Sequence, residues 1–270
     1  MSGLDAVFAA ARSEQRGSLI GYLPAGYPTL EGSIELIGAM IDGGVDLVEV
    51  GVPYSDPVMD GPTIQAAAGT ALRNGFRLRD VFTVVESVAA RGGHAVVMTY
   101  WNPVHRYGVD AFARDLAAAG GHGLITPDLI PDEAEEWLAA SAAHELSRTF
   151  LISPSSSRAR IERAAGASTG FLYATAVMGV TGARDQVGAG AAELVGRARE
   201  VTDLPVGVGL GVRSAGQAAE VASFADAVIV GSAFVSRADS GTRAVRDLAA
   251  ELADGVRAPS AGEARPSGLR

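Results

Sequence analysis

Residues 46–65 concentrate the side chains of this sequence that are best suited to moving protons. The stretch reads Asp46-Leu-Val-Glu49-Val-Gly51-Val-Pro53-Tyr-Ser55-Asp56-Pro57-Val-Met-Asp60-Gly61-Pro62-Thr63-Ile-Gln65. Alternation along it puts Leu47, Glu49 and Gly51 on one strand face and Val48, Val50 and Val52 on the other. The all-valine face suits packing under helices, so Glu49 is expected to point the opposite way, into an interior. A carboxylate there is costly to ionise and tends to a raised pKa, which is what a general acid/base requires. Asp56 and Asp60 stand beside Pro57 and Gly61, where Asp is also an ordinary turn residue. Sharing a loop with an inward Glu49 makes them candidates for paired-carboxylate acid/base work.

A second group of residues suits an anion. Gly179-Val-Thr181-Gly182, Val206-Gly207-Val-Gly209-Leu-Gly211 and Val230-Gly231-Ser232 each put glycine at the end of an apolar run. Backbone N–H groups can approach a ligand closely there, and a following helix N-terminus favours negative charge. Gly207-x-Gly209-x-Gly211 has the wrong spacing for a dinucleotide fingerprint, so a phosphate-bearing substrate is the expectation. The sequence has no GxxxxGK[ST], no HExxH and no cysteine, which removes thiolate chemistry and disulfides. His94, His105, His122 and His144 are scattered at spacings unsuited to a shared metal, and His122 reads as a loop histidine. Tyr100-Trp101-Asn102-Pro103 follows an apolar run and could border the site.

These groups need a frame, and the rest of the chain supplies one. Apolar, β-branched runs recur at residues 18–23, 46–52, 94–100, 123–126, 149–153, 170–176, 205–211 and 226–231. They lack polar alternation, as expected of parallel strands buried on both faces. Helical spacing lies between them, as in Ile34, Ile37 and Ile41, or Val81, Val84, Val85 and Val88. Asp132 with Glu135, and Ser214 with Gln217, look like capping boxes opening the helices after the fourth and seventh strands. Leu4, Val7, Phe8 and Ala11 form a short amphipathic helix ahead of the first strand. Eight strand–helix units predict an α/β fold, a (β/α)8 TIM barrel with an extra N-terminal helix. Active sites of such barrels lie at the carboxyl ends of the strands, where both groups of residues fall.

No linker interrupts the array, so residues 1–257 read as one catalytic domain. Residues 258–270 (APSAGEARPSGLR) read as a disordered tail. Hydrophobic residues make up 48% of the chain, enough for a large core. Acidic residues outnumber basic ones, 31 to 22, which argues against nucleic acid and against a polybasic membrane anchor. With no signal peptide and no apolar stretch of ~20 residues, a cytoplasmic protein is expected.

Residues 47–65 (LVEVGVPYSDPVMDGPTIQ) resemble the hallmark segment of the tryptophan synthase alpha chain family. The resemblance continues through Pro24-Ala-Gly-Tyr-Pro28, Tyr100-Trp-Asn-Pro103, Thr126-Pro-Asp128, Phe171-Leu-Tyr173, Gly179-Val-Thr-Gly182, Gly209-Leu-Gly211 and Val230-Gly-Ser232. It departs at His122, where the family often has an acidic residue, and at Ala176-Val-Met178, where it often has polar ones. The family implies a lyase of tryptophan biosynthesis that splits indole-3-glycerol phosphate into indole and glyceraldehyde 3-phosphate. It implies no cofactor, and a beta chain as partner in an alpha2beta2 assembly.

By the same resemblance Glu49 is the acid/base and Asp60 accepts the indole N–H. Tyr22, Tyr173 and Thr181 contact substrate, and Gly182, Gly211, Gly231 and Ser232 hold its phosphate. The loops carrying Asp56 and Asn102-Pro103 face the partner, and a glycine-bearing loop at 182–190 permits closure. A phosphoribosyl-isomerase-like barrel would need Asp at the ends of strands one and five, where Leu23-Pro24 and Ser153-Pro154 stand. An inert phosphate-binding barrel would have no need of a costly inward Glu49. A free-standing lyase that releases indole remains open at this point.

Overall fold

Short valine- and isoleucine-rich runs leave no polar face for solvent, so they pair in parallel and are covered on both sides. In the computed structural model, which describes residues 3–175 and 184–258 without the side chains of 184–189, they form one sheet. Its strands are β1 (Ser18–Pro24), β2 (Leu47–Gly51), β3 (Ala95–Met98), β4 (Gly123–Ile125), β5 (Ser147–Thr149), β6 (Leu151–Ile152), β7 (Leu172–Thr175), β8 (Val206–Gly209) and β9 (Ala227–Val230). They are ordered β5-β4-β3-β2-β1-β9-β8-β7-β6. The two ends of that order, β5 and β6, are consecutive stretches of chain, so the sheet curls round on itself into a barrel. The expected fifth strand starts two residues early and breaks at Phe150, whose N–H donates to Ser168 Oγ (3.2 Å). The other strands are shorter than expected at their ends because flanking residues enter turns and caps; Tyr100, for one, caps a helix.

The helices are α1 (Gly3–Ser13), α2 (Leu30–Asp42), α3 (Pro62–Arg73), α4 (Asp80–Ala90), α5 (Trp101–Tyr107), α6 (Val109–Ala118), α7 (Glu135–Ala143), α8 (Arg158–Ala167), α9 (Arg184–Arg199), α10 (Ala215–Phe224), α11 (Ser232–Ala238) and α12 (Gly241–Arg257). The connections after β2, β3 and β9 each hold two helices where the periodicity suggested one. Since α9 begins by Arg184, residues 184–190 are helical rather than part of an expected loop. Ser214 caps α10 as expected, accepting from Gln217 N (3.4 Å), while Gln217 Oε1 accepts from Arg213 N (2.8 Å). Asp132 is no cap. It sits in a 3-10 turn (Pro131–Glu133) and pairs with Arg163 (2.9 Å), and Ala134 precedes α7. Beyond Ala258 the expected tail lies outside the described residues.

Two apolar layers result. Between strands and helices, Val48 and Val50 pack with Val81, Val84, Val85 and Val88. Inside the barrel, Ile20, Leu47, Val96, Ile125, Phe171, Ala227 and Ile229 pack with Leu4, Val7 and Phe8 of α1. The N-terminal helix is therefore the stopper of the barrel's amino end, with the Phe8 and Phe171 rings 5.6 Å apart. His94 and His122, expected to be scattered, meet at the amino ends of β3 and β4, Nδ1 to Nε2 at 2.8 Å. Among the described residues no three metal-ligating side chains cluster.

Candidate active site

Leu47 and Glu49 project from the same face of β2, but only Leu47 joins the inner apolar layer. Glu49 lies one pleat nearer the carboxyl end, opposite Tyr22 of β1, and is 1% exposed. Neither of its carboxyl oxygens has a hydrogen-bond partner among the described residues. Burial, with the charge of Asp60 adding to it, pushes its pKa up to about 8. Glu49 therefore carries its proton at neutral pH, as expected of an inward carboxyl.

Two tyrosines flank it. Burial lifts the Tyr22 hydroxyl well above the usual phenol range, and the charges of Asp60 and Glu49 add to the effect. Tyr173 is lifted likewise by burial, then by Glu49 and Tyr22. These couplings bring Tyr22, Glu49, Asp60 and Tyr173 into one electrostatic unit. Asp60 is half-buried, and burial raises its pKa also.

Glycines make room for this unit. A Cβ on Gly51 would run into the Tyr22 ring, and one on Gly209 would stand 2.9 Å from the Tyr173 hydroxyl oxygen. Gly207 thus leaves room for Phe171 and Ile229, and Gly209 for Tyr173. Gly211 differs. Its φ of +68° lies in the left-handed region that other residues rarely adopt. Gly231 stands beside Tyr22, at ordinary contact distance for an added Cβ (3.4 Å), and leads into α11 at Ser232. No side chain caps α11, so its first N–H groups, just past the end of β9, are left without a capping partner among the described residues. Thr181 and Gly182 lie outside the described residues.

The loop between β2 and α3 brings Asp60 to the mouth. Its backbone is tied by Tyr100, whose hydroxyl oxygen accepts from Val58 N (3.0 Å) and Met59 N (2.9 Å). On the far side Gln65 Nε2 donates to the Asp60 carbonyl (2.7 Å). The Tyr100 ring packs on Tyr54 (5.3 Å between centroids), and Asn102 Nδ2 donates to the Tyr54 hydroxyl (2.9 Å). Asp56 stands apart from Glu49, exposed and accepting from Ser55 Oγ (2.6 Å). Val58 (82% exposed), Met59 and Ile130 are the large apolar side chains left open to solvent among the described residues. The sequence placed Tyr100 at the border but gave no sign of the tie, because its partners are backbone amides, which no residue type announces.

With this geometry in place, comparison with known proteins is informative. The family model described as tryptophan synthase alpha chain matches residues 8–259. The alpha chain of Mycobacteroides abscessus is 64% identical over 254 residues, covering 94% of this chain and 97% of its own. That of Nocardia farcinica is 63% identical over 256 residues, covering 95% and 96%. Among solved structures, tryptophan synthase from Mycobacterium tuberculosis in space group F222 superposes with a TM-score of 0.91 at 59% identity, covering 96% of this chain and 99% of that one. The alpha subunit from Legionella pneumophila superposes at 0.86 with 28% identity, covering 95% and 98%.

Proposed function

The chain belongs to the tryptophan synthase alpha chain family, and from that premise we propose which of its residues perform the family's reaction. That reaction is a lyase step of tryptophan biosynthesis, the cleavage of indole-3-glycerol phosphate to indole and glyceraldehyde 3-phosphate. Indole has no carbonyl to receive the electrons of the breaking bond. A sink is made by protonating the ring carbon that bears the side chain, which leaves positive charge on the ring nitrogen. Glu49, protonated at neutral pH, donates that proton. As a carboxylate it then takes the proton of the adjacent side-chain hydroxyl. The O–H electrons form the aldehyde, the carbon–carbon bond breaks, and its electron pair restores the neutral indole. Glu49 ends as it began.

Asp60 accepts the indole N–H and stabilises the charge that develops there. Its half-buried position in the loop after β2, against the full burial of Glu49 on the strand, gives the two carboxyl groups different surroundings and different tasks. Tyr22 and Tyr173 line the indole, with Thr181 a further substrate contact. The phosphate lies over Gly182, Gly211, Gly231 and Ser232, where the α11 N-terminus and the turn at Gly211 offer backbone N–H groups. The supporting observation is the buried Glu49 carboxyl, an expensive group to which no described residue supplies a hydrogen bond. The test is single-turnover cleavage of indole-3-glycerol phosphate by full-length wild type and Glu49→Gln, with folding checked by circular dichroism. Wild-type rates in Glu49→Gln would sink the assignment.

The same reading extends outward. The chain acts with a tryptophan synthase beta chain, as alpha2beta2, through the mouth loops carrying Asp56 and the exposed Val58, Met59 and Ile130, and through Asn102-Pro103, which stand in the first turn of α5 rather than in the expected loop. It uses no cofactor of its own, works in the cytoplasm, and its catalytic unit is one domain, residues 1–257. No helix among the described residues is long and apolar enough to cross a membrane. Analytical ultracentrifugation with the cognate beta chain tests the association; two non-interacting species above micromolar concentration would refute it.

A further inference from the structure

We propose that Tyr100 is a positioning residue for the reaction: its hydroxyl oxygen, by accepting the N–H groups of Val58 and Met59, holds the loop after β2 in the shape that presents Asp60 to the site. The inference rests on the reading of Asp60 as the group at the indole nitrogen. The loop needs such a tie. Val52 and Pro53 anchor its start in the core, but from Tyr54 to Gly61 no side chain is buried and Val58 and Met59 are exposed, so no core contact fixes its tip. Gln65 holds the carbonyl of Asp60 from one side, and the paired N–H groups of Val58 and Met59 hold the other. Asp60 is the next residue after that pair.

The anchor is itself rigid. Tyr100 is 4% exposed, its ring packs on Tyr54, and its backbone is the N-cap of α5. The next amide, Trp101 N–H, donates to Asp128 Oδ1 (2.8 Å), which fixes the turn from β4's side. Two convergent N–H donors on one oxygen define both its distance and its direction, which a single bond would not. Phenylalanine keeps the ring and its packing on Tyr54 but leaves both amides without their acceptor. Small displacements of a catalytic group are costly, about 10²-fold for 1 Å.

The test uses full-length Tyr100→Phe, Asp60→Asn and the double variant in single-turnover and steady-state cleavage. Tyr100→Phe should lower kcat about 10- to 100-fold and change KM less than threefold, since the phosphate contacts are untouched. In the Asp60→Asn background the same change should cost less than twofold, because a positioning residue has nothing left to position. Backbone amides of residues 58–60 should exchange with deuterium faster in Tyr100→Phe, while the thermal midpoint stays within a few degrees. A wild-type kcat in Tyr100→Phe, with Asp60→Asn inactive, overturns the role of Tyr100 and leaves Asp60 standing. Wild-type kcat in Asp60→Asn overturns the reading of Asp60 itself, and with it this one. An undiminished loss in the double variant also overturns the proposal, since Tyr100 would then act by another route. Should Tyr100→Phe fail to fold, unprotected Val58 and Met59 amides in the wild-type chain would overturn the tie directly.

Discussion

Leu47 and Glu49 stand one pleat apart on the same strand face, both almost wholly excluded from water, and they belong to different worlds. Below, Leu47 meets Leu4, Phe8, Val96 and Phe171 in an apolar plug where burial itself is the stabilising force. Above, Glu49 meets two tyrosines and a second carboxyl group, and its own oxygens have no hydrogen-bond partner among the described residues. The same barrel thus spends burial on stability at its amino end and on a raised pKa at its carboxyl end. The division matches the general rule that barrel bottoms stabilise and tops react. Its physical content here is specific: α1 fills the lower interior, while Gly51 and Gly209 clear the upper interior for Tyr22 and Tyr173.

The largest expected effect breaks the upper end alone. Glu49→Gln should lower single-turnover cleavage by at least about 10²–10⁴-fold while substrate binding stays near wild type. Stability should move the other way. Unfolded, Glu49 releases its proton near 4.5, whereas folded it holds the proton to about 8. Between those values the folded chain binds more protons, so wild type loses stability as pH rises, by up to about 1.4 kcal/mol per pH unit. The glutamine variant has no such titration. Urea unfolding at pH 5 and pH 8 should show Glu49→Gln gaining relative to wild type at the higher pH. A pH-independent difference would mean that Glu49 is not held protonated by the fold.

Asp60→Asn should also lose most turnover, with Asp60→Glu keeping a trace, because a shifted carboxylate can still meet the indole N–H. The more discriminating readout is the pH profile of kcat/KM. Its basic limb should fall near pH 8, where free Glu49 loses its proton. Asp60 contributes to raising that pKa, so removing its charge should move the residual activity's basic limb to lower pH. An unmoved limb would uncouple the two carboxyl groups and weaken the view of the mouth as one electrostatic unit.

How much of this difference was legible in the sequence follows from what each end uses. The inward Glu49 was readable because strand alternation has period two and three valines mark the opposite face. The helix ahead of the first strand was readable from Leu4, Val7, Phe8 and Ala11, but not that it enters the barrel, since periodicity gives a face and not its destination. That Gly207 and Gly209 make room for Phe171, Ile229 and Tyr173 was not readable, because an absent side chain does not reveal which neighbour fills its space. Asp132 had capping-box spacing, yet an ion pair with Arg163 and the turn after Pro131 prevailed over local propensity. The His94–His122 contact joins residues 28 apart in sequence that only strand register brings together.

The lower end should break differently. Leu4 is 0% exposed within the plug, so Leu4→Ala should cost about 2–5 kcal/mol of unfolding free energy. Per folded molecule, kcat should be unchanged. Thermal unfolding followed by activity normalised to the folded fraction separates these outcomes. A fall in kcat of the folded enzyme would show that the plug and the mouth are mechanically linked.

The smallest expected effect tests whether an unpartnered buried group always signals chemistry. Ser18 lies on the inward face of β1, below Ile20 and Tyr22, and its hydroxyl, like that of Ser147, has no hydrogen-bond partner among the described residues. The barrel therefore holds orphans at both ends, hydroxyls below and a carboxyl above. A hydroxyl differs in degree: its desolvation costs about 1–3 kcal/mol at most, and removing it removes that cost. Ser18→Ala keeps the backbone bond from Ser18 N to Asp226 O (2.9 Å) and deletes only the unpaired oxygen. The expected result is a change between zero and about 1 kcal/mol in favour of the variant, with turnover unaltered. Loss of more than about 1 kcal/mol in urea unfolding would mean the hydroxyl is satisfied in solution. Loss of turnover would mean that the lower end reaches the chemistry after all, and that the contrast between Leu47 and Glu49 does not divide the barrel.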